Sequence, residues 1–219
     1  MVVRRADVNH GVAMTDSARA RGTATDPVGG RGATGRPGWL RAVSAVGRRW
    51  PTWLAVAWAA ISLSDVSDGL EYMILFVLPA TGYLFLAVVD RPRITWAVVV
   101  AALATVVVLR LLDIDPWPAL AVVVVTLAAV GLIGGQLRKP GLYALQSPGA
   151  LAFMAFGLVV LAVPTTVGGY LVGAGLLGHA TWDAVHWRAN KIVSRSFAEW
   201  CGVLDLVLGV GLLVLLLVR

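Results

Sequence analysis

Residues 94–136 read ITWAVVVAALATVVVLRLLDIDPWPALAVVVVTLAAVGLIGGQ, and their interpretation decides the fold. Two apolar runs, 94–112 and 117–136, flank the break DIDPWP at 113–118. A helix needs roughly 20 mostly apolar residues to cross a bilayer, and each run has about that length. The runs are continuous rather than alternating, so they predict helices and not the strands of a barrel. The acids and prolines between them stop one helix and start the next.

Outward from this pair the same pattern recurs. Candidate spans fall at 50–65, 70–89, 148–164, 166–187 and 197–218, making seven in all. Their breaks carry helix-stop residues: DRPR at 90–93, RKPG at 138–141 and Pro164. Composition agrees. Hydrophobic residues make up 58% of the 219-residue chain, charged residues 14%, and mean hydropathy is +0.81. So few polar groups could not cover a soluble domain of this size. The expected fold class is an all-α polytopic membrane helix bundle of about seven transmembrane helices spanning 50–219.

The net charge of +6 belongs to the first 49 residues, which hold nine arginines and three aspartates, while the remainder balances to zero. This segment is rich in Gly, Ala, Thr and Arg. It reads as a disordered basic cytoplasmic tail attracted to anionic lipid. It lacks the apolar core and small-residue cleavage site of a secretory signal peptide, and Met14 is an equally acceptable start. Neither a nucleic-acid-binding fold nor interleaved aromatics accompany the arginines, so nucleic acid is not an expected partner. The lone Cys201 excludes an intrachain disulfide.

The loops give a direction. With the N-terminus cytoplasmic, Arg91, Arg93, Arg138, Lys139, Arg188, Lys191 and Arg195 all fall inside. Asp65, Asp68, Asp113 and Asp115 fall outside. Arg110 is the one basic exception, placed to snorkel or to pair with the neighbouring acids. The expected location is the plasma membrane, multi-pass, with the C-terminus extracytoplasmic. In span six Gly169 and Gly173 form a GxxxG pair, a common packing motif that would also serve a homo-oligomer.

Chemistry concentrates in residues 178–205, GHATWDAVHWRANKIVSRSFAEWCGVLD. At 100° per residue, His179, Asp183 and His186 lie at about 0°, 40° and −20°, on one helical face with Gly168 and Gly175. In an antiparallel hairpin of spans six and seven, His179 is level with Asp205, Asp183 with Gly202, and His186 with Glu199. Cys201 and Asp205 share a face, and Glu199 is rotated away from it. Ionisable side chains inside a membrane cost several kcal/mol and are normally paired and functional.

Three readings follow. His179, Asp183, His186 and Asp205 offer the nitrogen and oxygen ligands of a zinc or other transition-metal site, with Glu199 and Cys201 as further polar candidates. A metal-bound water there could act on a lipid-like substrate. The same groups could instead relay a proton or cation. Finally, hydrogen bonds from His179 to Asp205 and from His186 to Glu199 could simply lock the hairpin of a non-enzymatic component. Trp182, Trp187 and Trp200 read as interfacial anchors or packing residues. Asp65, Asp68 and Glu71 read as a solvated turn, with Ser64 or Asp68 capping the next helix. No G-x-S-x-G, P-loop or tandem histidine box is present.

The pattern His179-x-x-Trp182-Asp183-x-x-His186, followed by Glu199-Trp200-Cys201-x-x-x-Asp205, resembles small bacterial, actinobacterial-like membrane proteins grouped as families of unknown function. The resemblance covers about the last 45 residues and implies that this seam is the signature of the group without naming a reaction. A looser likeness to seven-span metal-dependent lipid hydrolases lacks their third site histidine and places the motif on a single helix.

Overall fold

A computed structural model describes residues 38–218. Among these the chain is entirely helical: α1 (Gly38–Arg48), α2 (Trp50–Leu63), α3 (Ile74–Val89), α4 (Thr95–Leu111), α5 (Pro116–Ile133), α6 (Leu142–Ala162), α7 (Thr165–Ala189) and α8 (Arg195–Val218). Short 3₁₀ turns precede α3, α4 and α6.

Five segments are long and apolar enough to cross a membrane: Leu70–Val89, Pro92–Leu111, Pro116–Ile133, Leu142–Ala162 and Arg195–Val218. The two other expected spans differ for separate reasons. With only 14 residues, α2 is short. At 25 residues α7 is long enough, but its polar stripe lowers its hydropathy. An apolar solvent is written on the outside of α4, where Val100, Leu103, Val107 and Val108 are exposed and only Thr95 is buried. In water such a face would be a large penalty, whereas in hydrocarbon it costs nothing.

Residues 1–37 of the expected disordered tail, including His10, lie outside the described residues. Within the tail as drawn, Gly38–Arg48 form a helix. The reason is a periodicity that the arginines hide. Trp39, Val43, Val46 and Trp50 recur at helical spacing, on one face of the α1–α2 segment, and all four are exposed.

The connections follow the local chemistry. Asp115 caps α5 by accepting from the Trp117 N–H at 3.1 Å, and Pro116 supplies a first position that needs no donor. Asp68 accepts from the Leu70 N–H at 3.0 Å, a local turn bond, while Gly69 in the left-handed conformation takes the N-cap position of the 3₁₀ turn in place of Asp68 or Ser64. Asp90 and Asn190 end α3 and α7 in the left-handed conformation, a role suited to short polar side chains. α8 packs along α7 and α2, and α3 lies against α5 and α6. The α7–α8 contact is the tightest. A Cβ on Gly173 would sit 2.7 Å from Leu213, and one on Gly169 only 2.6 Å from the Asp68 carbonyl oxygen. The GxxxG pair therefore makes close contacts within the chain.

Candidate metal centre

The polar stretch 178–205 divides between the last half of α7 and the first half of α8. In α7 the face predicted from the sequence is the buried one: Gly168, Gly175, His179, Asp183 and His186 are all buried, the last three with 0% exposure. α8 returns alongside with Cys201 and Asp205, also buried, one helical turn apart. Gly202 permits the approach, since a Cβ there would lie 3.0 Å from the Asp183 Cβ.

His179, Asp183, Cys201 and Asp205 converge, their ligand atoms lying within 4.8 Å of one another. With its proton on Nδ1, His179 donates to Asp205 Oδ2 at 2.7 Å. Asp183 Oδ2 stands 3.3 Å from the same nitrogen and receives only the electrostatic benefit. Asp183 Oδ1 accepts from the Tyr83 hydroxyl of α3 at 2.5 Å. Three atoms of the cluster remain without a hydrogen-bond partner: His179 Nε2, Asp183 Oδ2 and Asp205 Oδ1. Buried polar atoms left this way cost about 1–3 kcal/mol each, so their concentration at one point calls for a reason.

Charge sharpens the point. Two carboxylates closer than 4.8 Å repel by about 3 kcal/mol or more at an effective dielectric of 20. A single imidazolium cannot neutralise both. A divalent cation offsets the two carboxylates, and one imidazole, two carboxylates and one thiol are a zinc-type donor set that would sit at net −1 with Cys201 bound as thiolate. Tetrahedral zinc would draw these atoms to separations of about 3.3–3.8 Å, a contraction of about 1 Å.

Two residues grouped with the site from the sequence stand apart from it. His186 occupies the expected face but one turn away. Its Nδ1 donates to the Trp182 carbonyl at 2.8 Å, and its Nε2 accepts from Gln146 Nε2 at 3.0 Å. Both ring nitrogens are thereby used, and His186 is corrected from metal ligand to packing residue. Gln146 of α6, whose amide also donates to the Leu142 carbonyl at 2.8 Å, fixes this arrangement. The Tyr83 ring lies edge-on to His186 at 4.6 Å and links it to the cluster.

Glu199 points to the opposite side of α8, as its rotation from Asp205 implies. It accepts from Thr52 at 2.7 Å and Arg49 at 3.1 Å, and faces Trp187 Nε1 at 3.4 Å. The expected bond between His186 and Glu199 is absent, while that between His179 and Asp205 is present. Cys201, a secondary candidate from the sequence, joins His179, Asp183 and Asp205 in the cluster. Trp200 is buried against Trp58 and Trp96 and so packs rather than anchors. Trp182 covers Gly149, and Arg195 stacks 4.1 Å over Trp187.

Sequence reasoning missed Tyr83 and Gln146. Their only signal was a hydroxyl and an amide inside apolar helices, where each must find a partner. No protein-family model matches the chain, and comparison with curated proteins and with solved structures gives no match.

Proposed function

We propose that this chain is a seven-span plasma-membrane protein that holds one divalent transition-metal ion, zinc by preference, between α7 and α8. The reading is carried by one observation: four ligand-type side chains meet at 0–1% exposure with unpartnered acceptor atoms among them. His179, Asp183, Cys201 and Asp205 would each supply one bond. Tyr83 would orient Asp183 from outside, a role that tunes and fixes a metal ligand. All four ligands come from the protein and none has exposed surface, the closed arrangement of structural rather than water-activating zinc. The ion would therefore tie the two helices together, with ligand protons released on binding. The loop arginines and lysines support an inside N-terminus and an outside C-terminus, with α2 and α7 completing the seven spans.

Elemental analysis of the purified full-length protein tests this. About one zinc per chain is expected, retained in His186→Ala and lost in His179→Ala and in Asp205→Asn. X-ray absorption should show one sulfur at about 2.3 Å and lighter ligands at about 2.0–2.1 Å. Metal-free wild-type protein that takes up no zinc on dialysis would refute the reading.

A second reading keeps a proton where the ion would sit, and the 2.7 Å contact between His179 and Asp205 favours it. In that case the seam is an interhelical lock, and wild-type and His179→Ala protein would be equally metal-free. For topology, a C-terminal alkaline phosphatase fusion should be active, and an inactive one would overturn the odd number of crossings.

A further inference from the structure

Arg49 and Thr52 at the start of α2, together with α7 and α8, line a groove of ≈ 570 Å³. It is polar at one end and apolar at the other. Arg49, Thr52 and Glu199 line the first part, while Leu177, Val203 and Leu206 line the second. Between them Ala180, Ala184 and Gly202 keep the floor low. We propose that this groove binds a glycerophospholipid with a primary-amine headgroup, of the phosphatidylethanolamine kind. The proposal rests on the membrane reading and is independent of the metal.

Charge complementarity selects the occupant. The Glu199 carboxylate is fixed rather than free, with Oε1 accepting from both Arg49 and Thr52. Its Oε2 has only the Trp187 N–H, at 3.4 Å, beyond the ordinary hydrogen-bond range. A carboxylate oxygen offers about two acceptor sites, so Oε2 has capacity for an ammonium donor. Arg49 gives one nitrogen to Glu199 and is 58% exposed, which leaves further donors of its guanidinium for a phosphate. A fixed acceptor beside an exposed guanidinium is the inverse of a phosphoethanolamine zwitterion. The apolar end then receives the acyl chains. The position suits a lipid headgroup: Arg48, Arg49 and Trp50 at the start of α2, with Arg195 over Trp187, form the basic and aromatic belt of a membrane interface. A choline headgroup carries no N–H for Oε2, and a glycerol headgroup carries no cation.

Native mass spectrometry of the full-length protein, offered phosphatidylethanolamine, phosphatidylcholine and phosphatidylglycerol with identical chains, tests the proposal. One phosphatidylethanolamine should be retained about tenfold better than either of the others, the ratio expected of one charge-assisted hydrogen bond. Glu199→Gln keeps an acceptor for Thr52 and should bring the three lipids to within about twofold. Ala184→Leu fills the exposed middle of the groove without touching Glu199 and should lower retention of all three. Zinc content should be unchanged in both variants, which separates this result from the fate of the metal reading. Equal retention of the three lipids by wild type, a preference for phosphatidylglycerol, or undiminished retention of all three by Ala184→Leu would overturn the proposal.

Discussion

Tyr83→Phe removes one oxygen and leaves the ring in place, so its effect isolates the hydrogen bond to Asp183. That bond is 2.5 Å long between groups with 0% exposure, and among the described residues Asp183 Oδ1 makes no other. Hydrogen bonds to charged groups contribute about 1.5–3 kcal/mol, and an orphaned buried carboxylate oxygen forfeits that amount. In the metal-bound protein the same bond orients a ligand. Outer partners of this kind are worth about 10–100-fold in metal affinity, which is about 1.4–2.8 kcal/mol. The two estimates agree, as they should if one bond serves both states. Competition against a zinc chelator measures the affinity, and thermal unfolding of metal-free protein measures the stability. The cycle is completed in an Asp183→Asn background, where Tyr83→Phe should lose much of its cost because the carboxylate is gone. An affinity within twofold of wild type, together with unchanged unfolding, would refute the assignment of Tyr83 as the positioning residue of the site.

His186→Ala should cost about 1–3 kcal/mol in stability, by leaving one N–H of the Gln146 amide without its acceptor, yet leave zinc stoichiometry intact; parallel melting and elemental analysis decide it. Gly169→Ala must push against the Asp68 backbone and should destabilise by about 1–3 kcal/mol. Gly178→Ala meets nothing within 4 Å and should be neutral or stabilise by up to about 1 kcal/mol, so ranking the two variants by unfolding tests the packing of α7. At the end of α3, the Tyr143 hydroxyl and the Lys139 ammonium hold the Asp90 carboxyl below the usual carboxylate range. A lowered folded pKa means that its stabilisation is present above the unfolded value and fades as pH falls through the folded one. Since Asp90 is 37% exposed, solvent screening limits the contribution to about 1 kcal/mol or less. Tyr143→Phe should therefore lower stability at pH 7 and lose its effect as the pH falls through the lowered folded value of Asp90, as a pH series of melts would show.

Several features were legible from residue order alone because they depend on local periodicity. Apolar runs and their Pro and Asp breaks gave the helices, while the Asp115 cap of α5 emerged only from the structure. Helical angles placed His179, Asp183 and His186 on one buried face, and antiparallel depth paired His179 with Asp205. The amphipathic period of α1 was equally local, but the charge of the surrounding arginines obscured it.

Local periodicity is enough to specify helices apolar enough to cross a membrane, one polar face in α7 and a facing strip in α8. Which of those residues meet depends on the packed bundle. Rotation of α8 about its axis and the approach of α3 and α6 are set by packing among many side chains distant in sequence, and no periodicity encodes them. That packing brought Tyr83 to Asp183 across 100 positions and gave His186 to Gln146. It also admitted Cys201 to the cluster and turned Glu199 outward to Arg49. A helix fixes which residues share a face, but the partner of each face is chosen by close packing of the whole bundle.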